Sequence, residues 1–151
     1  MIITHTAARE LTRAEMDTLI DGHFRAEEAG DIDAIVEGFI PGAQHDVAGR
    51  PGGPLYGGEE IAAYYRGLLA DLRITRFETV RRRYGTFHAV DESILYASAE
   101  GSVFGMEGGG REVSVRLLHV FDFSGGLISR ESAWLDVASL QRQLAERTQH
   151  D

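Results

Sequence analysis

The chain has 151 residues, 43% hydrophobic and 26% charged, the proportions of one globular domain around a single core. Its formal net charge of −9 argues against a nucleic-acid binder, because phosphate recognition needs a basic face. Cysteine is absent and all 15 basic side chains are arginine, which excludes disulfides, thiolate catalysis and lysine Schiff bases.

No apolar run approaches the ~20 residues of a membrane span. The first ten residues lack the basic start and apolar stretch of a signal peptide, so a cytoplasmic protein is expected. One domain is expected over 1–151, with an ordered core at about 12–147.

In chain order, Thr12-Arg13-Ala14-Glu15 has the form of a capping box and predicts a helix. Met16, Leu19, Ile20, His23 and Phe24 follow at helical spacing, placing His23 inside an apolar stripe. Gly30 ends this helix. Asp31 caps a second, through Ile32, Ile35, Val36 and Phe39, which Pro41-Gly42 stops. A short strand containing His45 and a Gly/Pro-rich loop come next. A third helix begins near Glu59-Glu60, with Ile61, Tyr64 or Tyr65, Leu68 and Leu72 as its buried stripe.

From Ile74 the period becomes twofold. Strands are predicted at about 74–90, 94–105, 111–123 and 127–135, with turns at Asp91-Glu92-Ser93, Gly108-Gly109-Gly110 and Ser124-Gly125-Gly126. Arg81-Arg82-Arg83 falls in the first of these and reads as a solvated edge. A short helix through Val137, Leu140 and Leu144 closes the pattern. Helices first and an antiparallel meander after them define the α+β class, with helices packed on a curved sheet around a pocket.

Two strand rows carry candidate chemistry. Val113, Val115, Leu117, His119, Phe121 and Phe123 form an inward apolar row. On the last strand Arg130, Ser132, Trp134 and Asp136 share a face. A lone histidine in an apolar stripe is often a hydrogen-bonded core residue, and Asp136 could simply cap the final helix. Against that stands the convergence of several titratable groups on one apolar volume.

The stretch His23-Phe24-Arg25-Ala26-Glu27-Glu28-Ala29-Gly30-Asp31-Ile32-Asp33-Ala34-Ile35-Val36 resembles the opening of ketosteroid isomerases and SnoaL-like proteins. Gly110 to Val115 and His119 to Ile128 resemble their closing hairpin. Trp134-Leu135-Asp136-Val137 with Leu140 to Leu144 is similar to the SnoaL-like ending. The resemblance implies a cone-shaped fold. It also implies an oxyanion-hole position at His23, a hydrogen-bond-donor position at His119 and a supporting tyrosine at Tyr65. The isomerase general base would fall at Val47, with His45 one inward position earlier; Asp46 faces the site only if the register slips by one. Asp136 sits where SnoaL-like cyclases carry an acidic residue.

The expected activity is a cofactor-independent cyclase or isomerase acting on a polyketide-like or other apolar, carbonyl-bearing natural-product intermediate. Asp136 would be base and acid, His119 its partner, and His23, held by Tyr65, an oxyanion donor. Phe24, Phe121, Phe123 and Trp134 would form the walls, with His45 and Arg130 also contacting substrate. Four alternatives stand beside it: epoxide opening by Asp136 with Arg130 and Glu100, a dehydratase on the same fold, a non-catalytic small-molecule binder, and a zinc site of His23, His45 and His119. Leu118 and Val120, on the face opposite His119, predict a homodimer through the outer sheet face.

Overall fold

The structure is a computed structural model and describes residues 8–145. Residues 146 and 147 of the expected core lie outside the described residues. Helix α1 (Arg13–Ala29) starts at the capping box, the Thr12 hydroxyl accepting from the Glu15 amide at 3.1 Å. It ends at Gly30, whose φ of 67° is the left-handed conformation that glycine adopts without penalty. Asp31 then caps α2 (Ile32–Glu37), accepting from the Ala34 amide at 3.0 Å.

The second helix is shorter than its apolar spacing predicts. It stops at Gly38, and Phe39 opens strand β1 (Phe39–Val47), so Pro41 and Gly42 lie within a strand. Pairing with the last strand takes over there: Phe39 faces Ile128, and the Gly38 carbonyl accepts from the Ile128 amide. Tertiary pairing overrides local propensity.

After β2 (Leu55–Tyr56) and α3 (Gly58–Asp71) come β3 (Leu72–Tyr84), β4 (His88–Ala99), the small hairpin β5 (Ser102–Val103) and β6 (Met106–Glu107), then β7 (Arg111–Ser124), β8 (Leu127–Leu135) and α4 (Val137–Ala145). The main sheet runs β2-β1-β8-β7-β4-β3. Its long strands form the expected antiparallel meander, and β1 joins parallel to β8. Helices packed on one six-stranded sheet give the α+β class.

The turn expected at Asp91-Glu92-Ser93 does not form. These residues continue β4, and the chain turns before it, between Tyr84 and His88. Asp91 is buried in mid-strand because Arg82 reaches it: the guanidinium bonds Asp17, Asp21 and Asp91 at 2.7, 2.9 and 2.9 Å, and Ser93 donates to Asp91 as well. Arg82 is therefore no solvated edge. It is a buried tie between α1 and the sheet, hydrogen-bonded as a buried charge must be.

The inward row of β7 is buried as read from its alternation. On β8 the face is inverted. The Gly125-Gly126 turn, with φ of 60° and 81°, pairs Ser124 with Leu127 and Phe123 with Ile128. Continuing that register would turn Arg130, Ser132 and Trp134 towards the cavity. Instead Asp122 pairs with Arg130, leaving Ser129 as the extra residue of a β-bulge, and Phe121 then faces Glu131. One unpaired residue exchanges the two faces.

Two apolar clusters result. One packs α1 and α2 through Met16, Ile20, Phe24 and Ile35; the other seats α4 through Leu140 and Leu144 against Leu72, Ile74 and Val115. Each such buried side chain contributes roughly 1.5–3 kcal/mol. Between the clusters lies a cavity.

Candidate active site

The cavity, of about 60 Å³, has apolar walls that include Ile74, Leu95, Val115 and Leu117, and α4 contributes Leu140 to it. Its polar lining is His45, Tyr64, Tyr65, His119, Glu27 and Glu131.

Glu131 is the hub. Its carboxylate stands 3.2 Å from His23 Nε2, 3.5 Å from His45 Nε2 and 3.5 Å from His119 Nε2, and it accepts from the Tyr65 hydroxyl at 3.1 Å. Glu27, one helical turn beyond His23 on α1, approaches His23 Nε2 at 2.8 Å. All of these side chains are buried.

Burial sets their protonation in opposite directions. Burial alone would raise Glu131, but His23 above all, with His45 and His119, outweighs it and holds the carboxyl well below the usual range. Burial would lower His23, yet the charge of Glu131 and hydrogen bonds to both carboxylates lift it to about 10. His23 is thus an imidazolium at neutral pH. Burial pushes Glu27 up, which makes it the more readily protonated carboxyl of the pair. Burial brings His119 down to about 4 and lowers His45, leaving both rings neutral.

Two tautomers follow. Arg50 donates to His45 Nδ1 at 2.8 Å and to the His45 carbonyl at 2.9 Å. Guanidinium has no acceptor, so His45 Nδ1 accepts and its proton sits on Nε2, which donates to Tyr65 Oη at 3.1 Å. Arg50, His45, Tyr65 and Glu131 form one directed chain. His119 turns Nε2 towards an acceptor-only carboxylate, which favours the Nε2–H tautomer. Its Nδ1 is buried without a partner among the described residues and carries the free lone pair.

The sequence-derived residues divide accordingly. His23, His45, Tyr65 and His119 meet around one carboxylate, and His45 rather than Asp46 faces inward: Asp46 lies on the outer face, 3.5 Å from Arg130. Asp136 is elsewhere. Its carboxylate caps α4, accepting from the Ser139 amide at 3.0 Å, and it borders an outer groove with Trp134 and Leu118. Trp134 and Arg130 sit outside with it, because of the bulge. Phe24 and Phe121 pack against the rings of His119 and His23, and Phe123 lies in the α1 core; none of the three lines the cavity. Arg130 and Glu100 do not assemble with Asp136 for epoxide opening, since Glu100 is at the surface with Arg73 and Ser98.

Glu27 and Glu131 were not among the candidates. Glu27 had a signal, since it continues the stripe Met16, Ile20, His23 at helical spacing. Glu131 had none, because only the bulge turns it inward.

The ligand atoms of His23, Glu27 and Glu131 lie within 4.8 Å of one another, close enough to share a cation. The chemistry of the set fits a proton better. His23 Nδ1 has no partner among the described residues, whereas a ligating imidazole is normally steadied through its second nitrogen, and a metal would have to displace the proton between His23 and the two carboxyl groups.

A small mixed domain with such a cavity is the architecture of the NTF2-like fold, and comparisons agree. The SnoaL-like domain matches residues 20–131, and the chain belongs to that family. It is similar to TsrD from Streptomyces laurentii at 23% identity, covering 90% of this chain and 98% of that one, with a TM-score of 0.78. A candidate SnoaL-like polyketide cyclase from a Jannaschia species is 14% identical over 92% and 99% of the two chains, with a TM-score of 0.78. An LEH-like epoxide hydrolase of M. tuberculosis is 14% identical over 87% and 90%, with a TM-score of 0.69. At these identities the likeness carries the fold. No curated protein matches the sequence. No described helix is long and apolar enough to cross a membrane.

Proposed function

We propose that this chain is a cofactor-independent cyclase or isomerase that performs acid–base chemistry on an apolar, carbonyl-bearing intermediate of polyketide type. One observation carries the reading: three imidazoles and a phenol converge on the single carboxylate of Glu131 at the wall of an apolar cavity.

His119 is the base. Its free Nδ1 takes the proton from a carbon next to the substrate carbonyl, and Glu131, at Nε2, offsets the positive charge that then forms. Glu27, lining the same cavity with a raised carboxyl, returns a proton to the enolate oxygen or to the carbonyl that accepts the new bond. His23 favours the ionised form of both carboxyls, burial and the charge of Glu131 raise Glu27 against it, and the Arg50–His45–Tyr65 chain holds the second oxygen of Glu131. The base assigned to Asp136 from sequence thus passes to the His119–Glu131 pair.

The test needs no knowledge of the natural substrate. Proton exchange at the activated carbon of 2-tetralone in deuterated water, followed by NMR, is expected to be accelerated by the protein. His119→Gln should reduce that acceleration by about 10²–10⁴-fold. Saturable binding of 2-tetralone with no acceleration would identify a binder rather than an enzyme. Hydrolysis of styrene oxide would move the assignment to epoxide opening, for which Glu27 and Glu131 supply two carboxyls in different charge states.

The dimer belongs to the same proposal. Leu118 and Trp134 are cross-strand partners on the outer face, 38% and 48% exposed, beside the Arg116–Glu92 ion pair. A twofold copy would cover the apolar pair and set Arg116 against Glu92.

A further inference from the structure

The β5–β6 hairpin closes through only two residues, Phe104 and Gly105, because Val103 pairs with Met106. Both have positive φ, 48° and 76°, the pattern of a type I′ turn. That turn favours Asn, Asp or Gly at its first position, and Phe104 is the one described non-glycine residue with positive φ. A bulky side chain held in this conformation needs a local reason.

Its position supplies one. Phe104 lines the inner cavity, yet it is 46% exposed. It also lines an outer groove of about 320 Å³ between α3 and the hairpin. Tyr64, Leu68, Leu72 and Phe104 border both spaces, so they form the partition between them. Three of the four are anchored in helix or strand; Phe104 is on a hairpin of two-residue strands that pairs with neither edge of the main sheet. The groove owes its room to Ala63 and Gly67, one helical turn apart on the exposed side of α3.

We infer that the groove over Ala63 and Gly67 is a second substrate subsite, continuous with the cavity past Phe104, and that it takes the apolar tail of an elongated carbonyl compound whose reacting end lies at His119. Phe104 is then the specificity-determining residue at the junction. The continuity argues for this occupant: the space beside His119 is the smaller of the two, the groove is mostly apolar, and the part of the wall between them that neither α3 nor the main sheet anchors is one half-exposed ring. The inference rests on the cavity being the substrate site, as proposed above.

Two variants test it. A Cβ at Gly67 would meet nothing within 4 Å, so Gly67→Leu fills the groove without strain in the helix. Phe104→Gly removes the ring and keeps a residue that the turn prefers. The probes are environment-sensitive naphthyl ketones, 6-acetyl- and 6-dodecanoyl-2-(dimethylamino)naphthalene, titrated by fluorescence. Gly67→Leu should weaken the dodecanoyl probe by about tenfold or more and leave the acetyl probe within about twofold. Phe104→Gly should speed both association and dissociation of the acetyl probe. Equal effects of Gly67→Leu on both probes, or no saturable binding of either to the parent, would overturn the subsite. Suppose instead that His119→Gln and Glu131→Gln leave proton exchange untouched while Gly67→Leu still discriminates by chain length. Then the acid–base reading falls and the subsite stands.

Discussion

At the scale of single residues, Asp136 and Glu131 show how two acidic side chains five positions apart acquire different work. Asp136 accepts from the Ser139 amide and stands at the surface, where its carboxylate does what an N-cap does. Asp136→Asn should leave both stability and tetralone exchange near parental values, and Asp136→Ala should cost about 1 kcal/mol, measured by urea unfolding, with exchange unchanged. Glu131→Gln should instead lower exchange by about 10²-fold or more, because the amide cannot offset charge on His119. A hundredfold loss in Asp136→Asn would return the base to Asp136. His23 and His119 were legible as members of apolar stripes. Their opposite protonation was not, since it depends on how many carboxylates each meets across the fold.

At the scale of elements, the bulge at Ser129 decides which β8 side chains enter the cavity. It predicts a sharp difference between replacing or removing that residue and adding one after it. Ser129→Ala keeps the residue count and should melt close to the parent. Deleting Ser129 would remove the bulge yet leave Asp122 opposite Arg130 and Phe121 opposite Glu131, so Glu131 would stay inward beside the imidazolium of His23 and the variant should keep its fold. Inserting one glycine after Arg130 would instead set Glu131 opposite Val120 and turn it outward; loss of a buried partner typically costs about 3–5 kcal/mol, so the insertion should show little cooperative melting by circular dichroism. An insertion variant as stable as the parent would mean that the register is not what positions Glu131. The first two helices, by contrast, begin where their N-caps place them, because the capping box at Thr12 and the cap at Asp31 act within one turn of chain.

At the scale of the whole molecule, the buried network links stability to pH in two directions. His23, raised from 6.5 to about 10, binds its proton more tightly folded than unfolded. Its contribution is complete below pH 6.5 and is lost as pH rises through about 10. His119, lowered to about 4, resists protonation when folded, so stability falls as pH drops from 6.5 towards 4, and lowered His45 acts in the same direction. Stability should therefore peak near pH 6.5, each limb falling by at most about 1.4 kcal/mol per pH unit for each proton involved. Urea unfolding across pH 4.5–9 checks the shape, and His119→Asn should flatten the acid limb only. The outer sheet face gives a second expectation: light scattering should find a dimer, and Leu118→Glu should yield monomers that keep the proton-exchange activity. A parent that is monomeric at micromolar concentration would exclude the interface.

The amino-acid sequence by itself determined the order of helices and long strands, the meander, the inward row that carries His119, and the apolar stripe that carries His23. These follow from caps, two-residue glycine turns and periodicity, all of which act over a few residues. Only the tertiary structure decided the centre of the site. Strand alternation has a period of two, so the single extra residue at Ser129 reverses every side chain after it, and neither face of β8 is distinctive enough in composition to reveal the reversal. Glu131 enters and Asp136 is left to cap a helix because β7 and β8 pair on both sides of that bulge, and pairing is a property of two strands that neither sequence contains alone.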